Sequence, residues 1–499
     1  MLKEKFPGAL LALVVVAVLG VASLAYAQPG KGNLTVYIDV FENGNASVKI
    51  VVSPGDKGFV QLALPRFEKV YACGGSASGY RVVNSTSGAY FYFNSTIYFA
   101  EKGSSLALCY NFPYAVLMSG SRGWFMSPLL WSSEPEVVVY VKLPLVKRIT
   151  YESPSSVGVS GNYRVYVLSP LVEQYIGNRV VVEYDLQSST PVDTILYSSG
   201  GSTITVKFPV YYRSIALKVR DVATSAIAEL SLIAGLRPSN VTFVFYLPER
   251  SMGGISALGF VMGEDVNAGG KGPVNLNLAL IRYAPGYLET TVIHELVHVY
   301  LGAAGVEAND NTRWFHEGMA QYVSILVAKK LGVNISEYES ELNESAASYY
   351  NYTGGKIGFI ENWPSDAVKE GEAYLASYYV VHTLATKYGG ENFVKRVFAT
   401  LQGRHITTTR EIVNVLSQAA GTNLAPLFRE WGFRDVEDWT PSNAKTPPSN
   451  STSTPSSSST GNSRFLIAMI ALLAVIFIVT YVVNAVVERE LRIAEHAPV

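Results

Sequence analysis

The stretch His294-Glu295-Leu296-Val297-His298, followed by Trp314-Phe315-His316-Glu317-Gly318-Met319-Ala320, decides how this 499-residue chain is read. An HExxH run on a helix places its histidines at i and i+4, one turn apart on one face, so both imidazoles can reach one metal ion. The intervening Glu295 then lies beside the metal's open position. A catalytic zinc takes three protein ligands and leaves a fourth position to water. Glu317, with eighteen residues between it and His298, is the candidate third ligand. The chain has six histidines, and His294, His298 and His316 all fall in this segment.

Two other zinc spacings fail here. A metzincin pattern needs Gly and His where the chain has Leu301 and Ala304, and a thermolysin-type spacing puts the third ligand at Gly318. HExxH, eighteen residues, then Glu317 within Trp314, Gly318, Ala320 and Tyr322 resembles the gluzincin metallopeptidases of the alanyl-aminopeptidase (peptidase MA-like) type. The resemblance covers roughly residues 205 to 440. It implies an α+β, thermolysin-like catalytic domain with a helical lower lobe. It implies one zinc ion per chain on His294, His298 and Glu317, with Glu295 as general base. It also implies a tyrosine downstream of the glutamate ligand that stabilises the oxyanion. Tyr374, in Glu372-Ala373-Tyr374-Leu375-Ala376-Ser377, matches best, with Tyr378 and Tyr379 competing. His316 is expected to be structural or to support the ligands from behind, and His382 and His405 to be structural. The chain departs from the family in lacking a GxMEN motif in Gly272–Ile281 and in having Ala303 where an Asn is usual. The choice between endopeptidase and aminopeptidase therefore stays open. Val274–Ile281 is expected to be a strand edge able to pair with an extended substrate backbone.

Net charge is −1 and 16% of residues are charged, which gives no electrostatic footprint for a nucleic acid. The N-terminus has Lys3 and Lys5, an apolar run from Ala9 to Leu24 and Ala25-Tyr26-Ala27 as a cleavage site, so 1–27 reads as a signal peptide. Phe465–Val487 reads as a single transmembrane helix and 488–499 as a cytoplasmic tail. The expected location is the cell membrane, with the catalytic domain outside. Nine Asn-x-Ser/Thr sequons, from Asn33 to Asn450, lie between the two apolar ends. The chain's two cysteines, Cys73 and Cys109, could form one disulfide in an oxidising compartment.

Residues 28–205 read as all-β and sandwich-like, opening with a hairpin of Leu34–Val40 and Ala46–Val52 around Asn43-Gly44. Residues 206–439 carry the catalytic pattern: a helix over Ile215–Leu236, strands at Val241–Leu247, Ile255–Met262 and Val274–Ile281, then the motif helix and a run of further helices. Residues 440–464, rich in Ser, Thr and Pro, read as a stalk. The expected substrate is a peptide or protein. A non-catalytic adhesion protein retaining a peptidase fold, and a zinc hydrolase of a non-peptide substrate, are the competing readings.

Overall fold

The computed structural model describes residues 33–86, 91–169, 176–252, 254–440 and 466–468. The chain divides into two compact units, Met1–Ser189 and Thr190–Val499.

In the first unit, alternation of apolar and polar residues decides the architecture. Asn33–Val40 and Ala46–Ser53 bury every second side chain and pair antiparallel, from Asn33↔Ser53 to Val40↔Ala46. The chain turns between them at Asn43-Gly44, with Gly44 left-handed at φ 84°. This hairpin sits inside a seven-stranded sheet, with Val137–Lys142 parallel to its first strand and Leu106–Phe112 antiparallel to its second. Two three-stranded sheets share its core. Val36, Ile50, Leu108 and Val139 of the large sheet cluster with Val60, Ile97, Phe125 and Val182 of the smaller ones. The edge strand Tyr71–Gly75 is exposed throughout and is tied by a Cys73–Cys109 disulfide to its neighbour, with Cα atoms 5.9 Å apart.

In the second unit the period changes from two to helical. The helix Arg213–Ala234 buries Ile215, Val219, Ile227, Leu230 and Ile233 and ends at Gly235, whose φ is 67°. It is the crossover between the parallel strands Ser202–Pro209 and Asn240–Tyr246. The sheet runs in the order Val192–Ser199, Ser202–Pro209, Asn240–Tyr246, Pro273–Asn277, Gly259–Met262, Leu466–Ala468. Pro273–Asn277 is hydrogen-bonded on both sides, so the strand expected as a free edge at Val274–Ile281 is interior. It is also shorter, because the Asn277 side chain accepts from the Ala279 N–H at 2.9 Å and starts a 3-10 turn over Leu278–Arg282. The helices Tyr287–Ala303, Arg313–Lys330, Ser336–Tyr352, Ala367–Tyr388, Glu391–Leu401, Thr409–Ala420 and Ala425–Glu430 complete the unit, as the motif helix and the run of further helices expected after it. This is a mixed α/β arrangement following a β-rich one.

The transmembrane helix expected over 465–487 is corrected. Among the described residues no helix is long and apolar enough to cross a membrane. The part of that run which is described, Leu466–Ala468, is a strand antiparallel to Gly259–Met262, with Phe260↔Ala468 and Met262↔Leu466 as partners. A run of β-branched and other apolar residues can satisfy its backbone on an open sheet edge as well as within a helix. The expected signal peptide, the stalk beyond Thr440, the remainder of the apolar run and the tail lie outside the described residues.

Candidate metal centre

The motif helix Tyr287–Ala303 is buried on all sides, with Leu288 and every residue from Thr290 to Gly302 shielded. Its first turn is held by Glu289, which accepts from the Gly286 N–H at 3.2 Å and pairs with Lys218 at 2.7 Å. Its last turn is held by Tyr300, whose hydroxyl bonds Ser231 Oγ at 2.8 Å on the helix Arg213–Ala234. Between these two anchors lie His294, Glu295 and His298.

Glu317 comes from the first turns of Arg313–Lys330. Trp314, fully buried, fixes that end by donating Nε1–H to Thr409 Oγ1 at 3.1 Å. Gly318 lets the helix approach Ala367–Tyr388, since a Cβ there would stand 2.5 Å from Ser377 O. Glu317 Oε2 consequently lies 3.3 Å from His294 Nε2 and 3.6 Å from His298 Nε2. The candidate ligand atoms of all three residues fall within 4.8 Å of one another, and the side chains are 0–1% exposed.

This donor set fits a metal ion. Ligands held about 2.0–2.1 Å from a tetrahedral centre are separated by about 3.3 Å, close to the two distances seen here. Burial holds the His298 imidazole well below its usual pKa, and His294, His316 and Arg313 add to the effect. Burial thus disfavours the charged imidazolium, and a metal ligand must likewise be the neutral ring. His298 Nε2 and Glu317 Oε1 are buried without a hydrogen-bond partner. The group can hold a metal ion.

Glu295 projects from the same helix and is also fully buried, with both carboxylate oxygens lacking a hydrogen-bond partner. Burial pushes its carboxyl well above the usual carboxylate range, and neighbouring Glu317 pushes it further. The wall beside it is Gly259, where a Cβ would meet Glu295 Oε1 at 2.9 Å and Asn275 O at 3.1 Å. Tyr246 and Asn277 pin the backbone before that wall. Tyr246 donates to Ala257 O at 2.7 Å, while Asn277 Nδ2 donates to Ala257 O at 2.8 Å and Gly254 O at 2.9 Å.

The three competing tyrosines separate in space. Tyr378 donates to Asn343 Oδ1 at 2.7 Å and lies against His382, and Tyr379 stacks on Tyr350 at 4.1 Å. Tyr374 alone of the three is placed by the ligands: burial, then the Glu317 charge, pushes its hydroxyl well above the usual range. That hydroxyl accepts from Arg313 Nη2 at 3.3 Å. Arg313 was not picked out by sequence. It lies over the Trp363 ring at 4.6 Å, donates to Glu370 Oε1 at 2.7 Å and comes within 3.6 Å of Glu317 Oε1. Its i,i+4 spacing to Glu317 was the available signal. His316 is fully buried, with Nδ1 3.5 Å from His298 Nδ1, and burial lowers its pKa to about 4. His382 and His405 are not part of this group.

No protein-family model matches the chain, and no curated protein matches its sequence.

Proposed function

We propose that the protein is a zinc metallopeptidase of the gluzincin type, acting on peptide or protein substrates outside the cytoplasm. The observation that carries the reading is the buried group of His294, His298 and Glu317 with Glu295 beside it on the same helix. Zinc is the metal best suited to two imidazoles and one carboxylate, and when bound it supplies Lewis acidity and a nucleophile derived from water near neutral pH. Glu295 takes the proton of the attacking water on its free carboxylate oxygens and hands it to the leaving amine. Tyr374 donates its hydroxyl proton as a hydrogen bond to the oxygen that gains charge, with Arg313 holding the phenol from behind. His294, Glu295, His298, Arg313, Glu317 and Tyr374 all belong to the second unit. The Cys73–Cys109 disulfide and the sequons support an oxidising, external compartment.

The test is metal content and peptide cleavage by the full-length chain beside Glu295→Gln. The expected result is one zinc per chain in both, with cleavage falling by about 10²–10⁴-fold in the variant. Stoichiometric zinc without cleavage of a broad peptide library would overturn the peptidase reading, and absence of zinc would overturn the metal assignment.

A further inference from the structure

A histidine that binds a metal through one ring nitrogen needs the other one held, because that second hydrogen bond decides which nitrogen keeps the proton. In His298 the nitrogen turned toward Glu317 is Nε2, at 3.6 Å from Oε2. Its Nδ1 faces His316 Nδ1 at 3.5 Å, the outer limit of a hydrogen bond, with the rings tilted by 32°. Two protonated Nδ1 atoms cannot share that contact, so one ring donates and the other accepts. His298 has to keep Nε2 free for a metal, so its proton belongs on Nδ1. His316 has the matching freedom: its Nε2 is buried with no hydrogen-bond partner, so no other contact fixes which of its nitrogens carries the proton. With His298 as the donor across the Nδ1–Nδ1 contact, His316 Nδ1 is the acceptor and its own proton sits on Nε2. His294 shows the contrast, since its Nδ1 has no hydrogen-bond partner.

We infer that His316 is a positioning residue that accepts the Nδ1–H of His298 and so fixes the tautomer in which Nε2 can take a metal. The inference rests on the reading of His294, His298 and Glu317 as a metal centre. Its place in the sequence has a mechanical logic. His316 and Glu317 are consecutive on one helix, so a single rigid element both supplies a ligand and orients another ligand on the facing helix.

The experiment measures the zinc dissociation constant of the full-length chain by competition with a chromophoric chelator, together with the melting temperature of the metal-free protein. The variants are His316→Leu, which removes the acceptor, and His316→Asn, whose side-chain carbonyl restores one. His316→Met replaces the Leu variant if that does not fold. Loss of the acceptor is expected to raise the dissociation constant by about 10–100-fold. The Asn variant is expected to stay within about threefold of the parent, with metal-free melting temperatures of the two variants alike. Equal weakening in the Leu and Asn variants, or undiminished affinity in the Leu variant, would overturn the inference. His294→Ala is the control for the underlying reading: a parent chain that takes up no zinc, or a His294→Ala chain that binds as tightly, overturns the metal centre and this inference with it.

Discussion

In the β-rich unit, buried Ser95 donates to Asn84 at 2.8 Å, and buried Ser127 both donates to Pro128 O at 2.8 Å and accepts from the Val180 N–H at 2.9 Å. In the second unit, His294 Nδ1, both oxygens of Glu295, His298 Nε2, Arg313 Nε and Glu317 Oε1 are buried with no hydrogen bond at all. Leaving such a group unmet costs about 1–3 kcal/mol, more when it is charged. Scattered through a core, these atoms would be defects. Gathered on two facing helix turns, they describe the chemistry of what belongs between them. The first unit also leaves Asn94 Oδ1 and Glu134 Oε1 buried without a hydrogen bond, but among the described residues only the second gathers such atoms around a set of potential metal ligands.

The strongest way to break this contrast is to remove the metal. Chelation is expected to abolish cleavage and to lower the melting of the second unit, by about 4 kcal/mol where free zinc had stood at a thousand times its dissociation constant. Calorimetry should show the transition of the first unit unmoved; a common shift of both would deny the division of labour. Next in size is Tyr374→Phe, which removes one oxyanion donor and should cost about 10²–10³ in kcat with KM little changed. Tyr378→Phe and Tyr379→Phe serve as controls, and a comparable loss of kcat in either would move the donor role away from Tyr374. The smallest effect is confined to the other unit. Replacing Cys73 and Cys109 together by Ala should destabilise it by about 2–4 kcal/mol, since the bridge closes a 36-residue separation, while leaving zinc affinity unchanged.

What could be read from the sequence follows the range of the interactions involved. The i,i+4 histidines, the helices after Glu317 and the Asn43-Gly44 hairpin are set by neighbours a few residues apart, and all three lie where the pattern places them. Arg313 is marked in sequence only by its i,i+4 spacing to Glu317, and its bond to Glu370, far along the chain, shows only once the chain is folded. The placing of Gly259 against Glu295 depends on a sheet order in which Gly259–Met262 lies outside Pro273–Asn277 although it precedes it in sequence. Apolar pattern alone marked Val274–Ile281 as a strand but could not say that both its sides would be occupied. The same limit applied to the run at 465–487. Hydropathy measures how much a segment avoids water and does not say whether its backbone bonds within a helix or, as at Leu466–Ala468, to a neighbouring strand.

The near-complete burial of the ligand side chains also has a consequence in time. At 0–1% exposure the side chains of His294, His298 and Glu317 are covered in this structure, so a chelator, like a peptide substrate, reaches an ion held there only through an opening of the unit. Loss of that ion would follow the opening rate and level off as chelator concentration rises.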